Sequence, residues 1–194
     1  IFYLYARLWL SWFYRRIRKK STGKLLINRW TILLHGIAGF GILCILYGYF
    51  VEPYWVEINV VSIKTAKLQK AKFRIVQISD THCDKKIRLE EKLPAIINGF
   101  KPDIIVFTGD TINQESVLPL FYTMMAKLEA PLGKYAVTGN CDFTHFSDLD
   151  LFDGTGFEEL RLHEKRIEKD GESIMLAGLA YENGRHSFQV VEKL

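Results

Sequence analysis

Cysteine is scarce in this chain. The 194 residues hold three, Cys44, Cys83 and Cys141. An odd number gives no disulfide framework. Internal repeats and low-complexity stretches are absent, which excludes a solenoid or repeat array. An initiator methionine is also lacking; the chain begins at Ile1, and it is expected to be a piece of a longer protein that lacks both ends. Formal charge is missing from one long stretch. From Trp30 to Val51 there is no Asp, Glu, Lys or Arg, and His35 is the one residue there that titrates near neutrality. About 20 apolar residues cross a bilayer core as a helix. A buried helix of that length carrying Gly36, Gly39, Gly41 and Gly48 would be odd in a soluble protein. No small-residue cleavage site follows, and the run is too long for the apolar region of a cleavable signal, so a retained transmembrane helix over 30–51 is expected. Trp30, Tyr47, Tyr49, Tyr54 and Trp55 stand near its ends, where an aromatic belt would sit.

The charge that is present is local. The net charge is +4, yet Arg15, Arg16, Arg18, Lys19, Lys20, Lys24 and Arg29 crowd one short stretch beside the apolar run. That position makes the cluster juxtamembrane, and no nucleic-acid partner is expected. The positive-inside rule then puts it in the cytoplasm and places the chain after Val51 on the outer side. Free thiols fit an oxidising compartment poorly, which counts mildly against that orientation. Ile1 to Tyr14 is apolar, broken by Arg7; it is either the tail of another span or a helix in the interface. The expected organisation is a membrane-proximal segment over 1–29, the span over 30–51 and a catalytic domain over 52–194.

Beyond the span, three apolar runs end alike. Phe73 to Ile78 leads into Asp80-Thr81-His82, Ile104 to Thr108 into Gly109-Asp110, and Lys134 to Thr138 into Gly139-Asn140. Each reads as a buried strand that releases an oxygen or nitrogen donor at its C-terminal end. In open α/β sheets that end is where ligands bind. A carboxylate and an imidazole together suit a borderline divalent ion such as Zn, Mn or Fe. Between the runs lie helical patterns. One carries Leu89, Leu93, Ile96, Ile97 and Phe100 on one face, with Pro94 kinking it or in its first turn. The other carries Val117, Phe121, Met124 and Leu128, with Ser116 as the expected N-cap. Strands alternating with helices on short links predict a mainly parallel sheet. Trp55 to Lys64 alternates as a further strand would, and Gln69 to Lys72 reads as a polar turn. Phe143 to Phe152 is a helix or loop, and Phe157 to Glu168 and Glu172 to Leu179 are strands around a turn at Asp170-Gly171. Gly184 to Leu194 begins another helix or loop.

The ordered set ISDTH, FTGD and VTGNCD resembles the calcineurin-like metallophosphoesterase superfamily, whose pattern is D-x-H, G-D and G-N-H-(D/E) followed by later His motifs. The resemblance runs from Glu52 to about Gly178. It implies an α/β fold in which two sheets pack face to face between helices (α/β/β/α), here preceded by the transmembrane helix. It also implies two divalent ions (Mn, Fe or Zn), with Asp80 and His82 on the first, Asp110 shared and Asn140 on the second. Two such cations neutralise phosphoryl oxygens and acidify a bound water. Asn140 and Cys141 are the implied catalytic pair, Cys141 standing where the superfamily places a His that protonates the leaving oxygen. A thiol is the weaker donor, although small phosphodiesterases of the superfamily also carry G-N-C-D. The closing His motifs, the last typically G-H-x-H, do not occur. Asp84 and Asp142 are expected to hydrogen-bond the loops, and His145, His163 and His186 match no ligand motif.

The implied substrate is a phosphodiester or pyrophosphate. Membrane-anchored members that share the EPYW and preceding span include hydrolases of UDP-diacylglucosamine, a lipid-linked pyrophosphate. That substrate is reached from the cytoplasmic face, opposite to the orientation the basic stretch implies. Two other readings remain: a non-catalytic binding module that keeps the fold, and a redox pair of Cys83 and Cys141, whose loops would meet in the implied fold. The number of spans and the oligomeric state are left open.

Overall fold

The computed structural model describes Arg7, Trp9 and residues 29–182. The apolar segment over 1–14, the basic stretch from Arg15 to Lys24, the element over 184–194 and His186 lie outside the described residues. The chain divides into two units, Ile1–Glu57 and Ile58–Leu194.

In the first unit, helix α1 (Arg29–Phe50) has 22 residues, about 33 Å at 1.5 Å per residue and close to the thickness of a hydrocarbon core. Most of its large side chains face outward: Trp30, Leu33, Phe40, Leu43, Ile45 and Phe50 are all exposed. Between its ends, a helix satisfies its main-chain polar groups internally, as a bilayer demands. Ile32–Tyr54 is long and apolar enough to cross a membrane. A 3₁₀ turn over Glu52–Tyr54 follows, with Pro53 near its start.

The second unit is built on a parallel sheet of β1 (Ile75–Ile78), β2 (Ile104–Thr108), β3 (Lys134–Val137) and β4 (Phe157–Glu159), in that spatial order. Helix α2 (Leu93–Gly99) connects β1 to β2, α3 (Leu118–Ala126) connects β2 to β3, and α4 (Asn140–His145) follows β3. β2 shows why the order is stable, since its residues alternate between two apolar layers. Ile105 and Phe107 face the layer that holds Ile97 of α2 and Phe121, Met124 and Met125 of α3. Phe107 is the hub there, with edge-to-face contacts to Phe121 at 5.6 Å and Phe152 at 5.7 Å. Ile104 and Val106 face the other layer with Tyr135, Leu160, Ile167, Ile174 and Leu176. Those last three bring in the antiparallel hairpin of β5 (Glu164–Lys169) and β6 (Glu172–Ala177). Two sheets therefore pack face to face with helices on the far side of the parallel one, the α/β arrangement expected. Each large apolar side chain buried this way contributes about 1.5–3 kcal/mol.

The hairpin is pinned at its turn. Asp170 and Gly171 both have positive φ (+51° and +78°), as a two-residue type I′ turn requires. Next to it, the Glu172 carboxylate accepts the N–H groups of Gln69, Lys70 and Ala71 at 2.8, 3.0 and 2.6 Å. Lys169 donates to Asp103 at 2.6 Å and to the Lys72 carbonyl at 2.7 Å.

Three local expectations change. No strand forms over 55–64: Val60, Val61 and Ile63 are 80% exposed or more, so the alternation has no face to bury and nothing to set its register. Ser116 lies inside a 3₁₀ turn (Glu115–Val117), and Val117 is the residue before α3. Pro119, with φ already helical and no N–H to satisfy, sets the start of α3 instead of a side-chain cap. The run from Phe157 to Glu168 is two strands. Leu162, at φ +55°, breaks it, sending β4 to the parallel sheet and β5 to the hairpin. Pro94 sits in the first turn of α2, and Leu89 falls in the turn before it.

Candidate active site

The loops after β1, β2 and β3 meet at one end of the parallel sheet. The first two run side by side: Asp80 N–H donates to Gly109 O, His82 N–H to Asp110 O and Cys83 N–H to Thr111 O, each at 3.0 Å. Asp80, His82 and Asp110 all have left-handed backbones, at φ +54°, +40° and +59°. Non-glycine residues adopt this conformation at a cost of about 1–2 kcal/mol each, and such strain gathers at functional sites. The second and third loops touch backbone to backbone. A Cβ on Gly109 would lie 2.5 Å from the Gly139 main chain, and one on Gly139 would lie 2.2 Å from Asp110 Oδ1. The two Gly positions permit the approach that brings Asp110 beside α4.

Asp142 ties these loops together. It is 1% exposed. One carboxylate oxygen, Oδ2, accepts the N–H of Asp110 at 2.8 Å and of Gly139 at 2.9 Å. The other, Oδ1, accepts the N–H of Thr111 at 2.9 Å and its hydroxyl at 2.7 Å. Four donors fill this buried carboxylate. The expected loop-fixing role for Asp142 is what the hydrogen bonds describe. Asp84 does the same on a smaller scale, its Oδ1 accepting from Gln114 at 2.7 Å.

Three potential ligand atoms converge above this frame. His82 Nε2, a carboxylate oxygen of Asp110 and Cys141 Sγ all lie within 4.8 Å of one another. The His82 Nε2 to Asp110 Oδ2 distance is 3.7 Å. Asp110 Oδ1 is held separately, by the Cys141 N–H at 3.0 Å. On the other side of the imidazole, His82 Nδ1 is 3.0 Å from Asn113 Oδ1, and Asn113 Nδ2 donates to the His82 carbonyl at 3.1 Å. In the tautomer that donates Nδ1–H to Asn113, Nε2 is left facing Asp110 and is available to a ligand. Asn113 is the residue that sequence reasoning missed; its one signal is its place three residues after Asp110 in the same loop.

Asp80 stands outside the trio of close atoms, its carboxylate bonded by the Ser79 hydroxyl. Its charge still reaches the site. Burial pushes the Cys141 thiol up from its ordinary value, and the carboxylates of Asp110, Asp142 and Asp80 push it further. Asn140 is exposed, with its amide Nδ2 3.9 Å from Cys141 Sγ. One imidazole nitrogen, carboxylate oxygens and an amide make a donor set that suits a borderline divalent cation. Asp80, His82, Asp110 and Asn140 could hold such ions. Cys141 was singled out as a proton donor; its sulfur also lies close enough to the other donors to join them.

The remaining candidates separate from the site. Cys83 is fully buried, and burial raises its thiol to about 11. It and Cys141 are both free thiols, so the structure holds no disulfide between them. His145 is exposed at the end of α4 with Nδ1 3.3 Å from the Cys141 carbonyl, and His163 is exposed on the approach to β5.

Comparison with known proteins identifies the family. The sequence profile for calcineurin-like phosphoesterases matches residues 73–183. The chain is 34% identical over 150 residues to the uncharacterized metallophosphoesterase YkuE of Bacillus subtilis, covering 69% of this chain and 51% of that protein. It is 31% identical over 140 residues to an uncharacterized metallophosphoesterase of Aquifex aeolicus, covering 69% and 52%. Over 82 residues it is 34% identical to the UDP-2,3-diacylglucosamine pyrophosphatase LpxG of Chlamydia muridarum, covering 40% of this chain and 25% of that one. The chain spans about half the length of the first two relatives.

Proposed function

The chain belongs to the calcineurin-like phosphoesterase family, and from that premise we propose that it is a membrane-anchored, metal-dependent hydrolase of a phosphodiester or pyrophosphate bond. The observation that carries the reading is the convergence of His82, Asp110 and Cys141 within 4.8 Å over a frame locked by Asp142. Asp80, His82, Asp110 and Asn140 would hold two divalent ions, which when bound supply positive charge to the phosphoryl oxygens and acidity to water. The chain's own residues do the rest. Asn113 fixes the tautomer of His82, Asp142 fixes the distance between the second and third loops, and Cys141 delivers a proton to the leaving oxygen. A thiol suits a leaving group that is already acidic, such as a nucleotide phosphate expelled from a pyrophosphate. The similarity to LpxG, named for a pyrophosphate on a lipid, supports that substrate class.

The catalytic domain over 52–194 follows an anchor at α1, whose outward apolar side chains and length support a span. The basic residues before it favour an extracytoplasmic domain, whereas a nucleotide-linked lipid favours a cytoplasmic one. A reporter fused after Val51 that is active only outside the cytoplasm decides between them.

The test of the activity is the full-length protein in detergent with bis(p-nitrophenyl) phosphate. Mn should support turnover, chelator should abolish it, and Asp110→Asn should reduce kcat by about 10³-fold or more, as loss of a ligand shared by both cations implies. Turnover unchanged in Asp110→Asn overturns the two-metal reading and favours a non-catalytic module.

A further inference from the structure

Beside the metal loop the fold presents two aromatic rings to solvent. Phe143 is 47% exposed and Tyr181 is 58% exposed, with ring centroids 6.1 Å apart and planes tilted by 53°. They come from different elements, yet both are anchored at the end of β3. The Phe143 N–H donates to the Gly139 carbonyl and the Tyr181 N–H to the Thr138 carbonyl, each at 3.1 Å. Phe143 follows Asn140 by three residues on α4, so the two side chains share a helix side with Cβ atoms about 5–6 Å apart. Scattered single exposed apolar residues are ordinary. Two exposed rings in contact, one residue-pair away from the candidate ligand loop, are not needed by the core, whose two clusters contain neither of them.

The surroundings say what such a pair takes. Phe143 also edges a small cleft of about 90 Å³ whose walls include Thr138, Asp142, Arg161 and Glu182. Arg161 is bonded to Glu159 at 2.8 and 3.1 Å and lies 4.0 Å from Glu182, which in turn accepts the Thr138 hydroxyl at 3.0 Å. An aromatic face next to hydrogen-bonding groups fits a planar heterocycle: the ring stacks and its polar edge finds donors and acceptors. A hydrocarbon chain would strip water from that ion-paired wall and give nothing polar in return.

We propose that Phe143 and Tyr181 form a stacking platform for the nucleobase of a nucleoside 5′-diphosphate ester, whose phosphates lie at Asn140 and whose pentose spans the interval to Phe143. The inference rests on the phosphoesterase reading, because it is that reading that puts the phosphates at Asn140. It makes the pair a determinant of substrate binding, and it places no demand on the bond-breaking step.

Binding and turnover test it together on the full-length protein in detergent. By calorimetry in the presence of Mn, uridine 5′-monophosphate should bind about 5- to 150-fold more tightly than ribose 5-phosphate, the range expected of one stacked base. Adenosine 5′-monophosphate should show a similar preference, since every base has a π-face. The preference should disappear in Phe143→Ala/Tyr181→Ala and survive in Phe143→Trp. For hydrolysis, the alanine variants should raise KM for UDP-glucose by a like factor, with kcat and the rate on P1,P2-dimethyl diphosphate unchanged. Equal binding of the two monophosphates by the wild type overturns the platform. So does an equal loss on both diphosphate substrates in the variants, which would make the pair a prop for α4. If the base preference stands while Asp110→Asn keeps full turnover, the platform survives and the metal reading falls.

Discussion

Replacing Asp142 by alanine isolates the frame of the site from its chemistry. The side chain is buried and meets three backbone N–H groups and one hydroxyl, all between 2.7 and 2.9 Å. Alanine leaves those four donors facing a small cavity. A hydrogen bond to a charged acceptor is worth about 1.5–3 kcal/mol, and a buried donor left unsatisfied costs about 1–3 kcal/mol. The Thr111 hydroxyl can rotate away, so three main-chain donors set the magnitude, about 4–6 kcal/mol after partial relaxation. Against a typical domain stability of about 5–15 kcal/mol this is a large share. Asp142→Asn keeps one oxygen and should lose about 2–3 kcal/mol, because its amide can serve the Thr111 hydroxyl but turns a donor toward the Thr111 N–H. The four tryptophans, Trp9, Trp12, Trp30 and Trp55, all precede the phosphoesterase unit, so their fluorescence reports poorly on its unfolding. Urea unfolding followed by near-ultraviolet dichroism suits better, paired with native-state amide exchange. With a slope of about 1–3 kcal/mol per molar urea, the midpoint of the alanine variant should fall by about 1.3–6 M. Exchange should accelerate first at Asp110, Thr111 and Gly139. A midpoint within error of the wild type, with those amides still protected, would refute the reasoning outright.

Other outcomes follow from the same geometry. Gly139→Ala puts a methyl 2.2 Å from Asp110 Oδ1, so Mn affinity measured by calorimetry should drop about 10- to 100-fold, as it does when a ligand's support is disturbed; an unaltered affinity contradicts the close approach. The N–H groups of Ala71, Gln69 and Lys70 hold the Glu172 carboxyl below its ordinary value of 4.5, so its contribution is complete above that pH and is lost as pH falls through the lower folded value. Glu172→Gln should therefore lower Tm at pH 7 and flatten the decline of Tm below pH 4.5; parallel Tm curves for the two proteins count against the nest. If Cys141 protonates the leaving oxygen, Cys141→His should raise kcat/KM for an alkyl ester relative to an aryl ester by about tenfold or more, toward the 10²–10⁴ typical of general acids; a constant ratio, with metal content intact, removes Cys141 from that role.

The parallel core was legible because β1, β2 and β3 are short apolar runs that each end in a distinct ligand-bearing motif, and strand identity there depends on local pattern alone. The buried helical positions Phe121, Met124 and Leu128 were legible for the same reason. Residues 55–64 misled because alternation records only that a segment can pair; whether a face exists to cover it is a property of the rest of the fold. Ser116 misled because a cap is one of several ways to start a helix, and Pro119 was the stronger constraint. At the site, the residues that point at one another across loops were found through their motifs, but Asn113 was not. Its contact with His82 crosses 31 residues and depends on the left-handed turns at His82 and Asp110, which no single stretch of sequence reveals.

The bonds that join the three loops share a narrow range of chain separation, 31 for His82 with Asn113, 31 for Asp110 with Cys141 and 32 for Asp110 with Asp142. This makes the order of synthesis matter. On a ribosome adding about 5–20 residues per second, the 61 positions from Asp80 to Cys141 take roughly 3–12 s to appear. During that interval the first two donors wait without their partners, and the frame closes only when Asp142 emerges. At that point Phe107 still lacks Phe152, β3 still lacks β4, and Thr138 still lacks the Tyr181 N–H. The frame therefore closes in a chain whose sheet edge and hairpin are still to be made, and until then its cohesion rests on the bonds to Asp142.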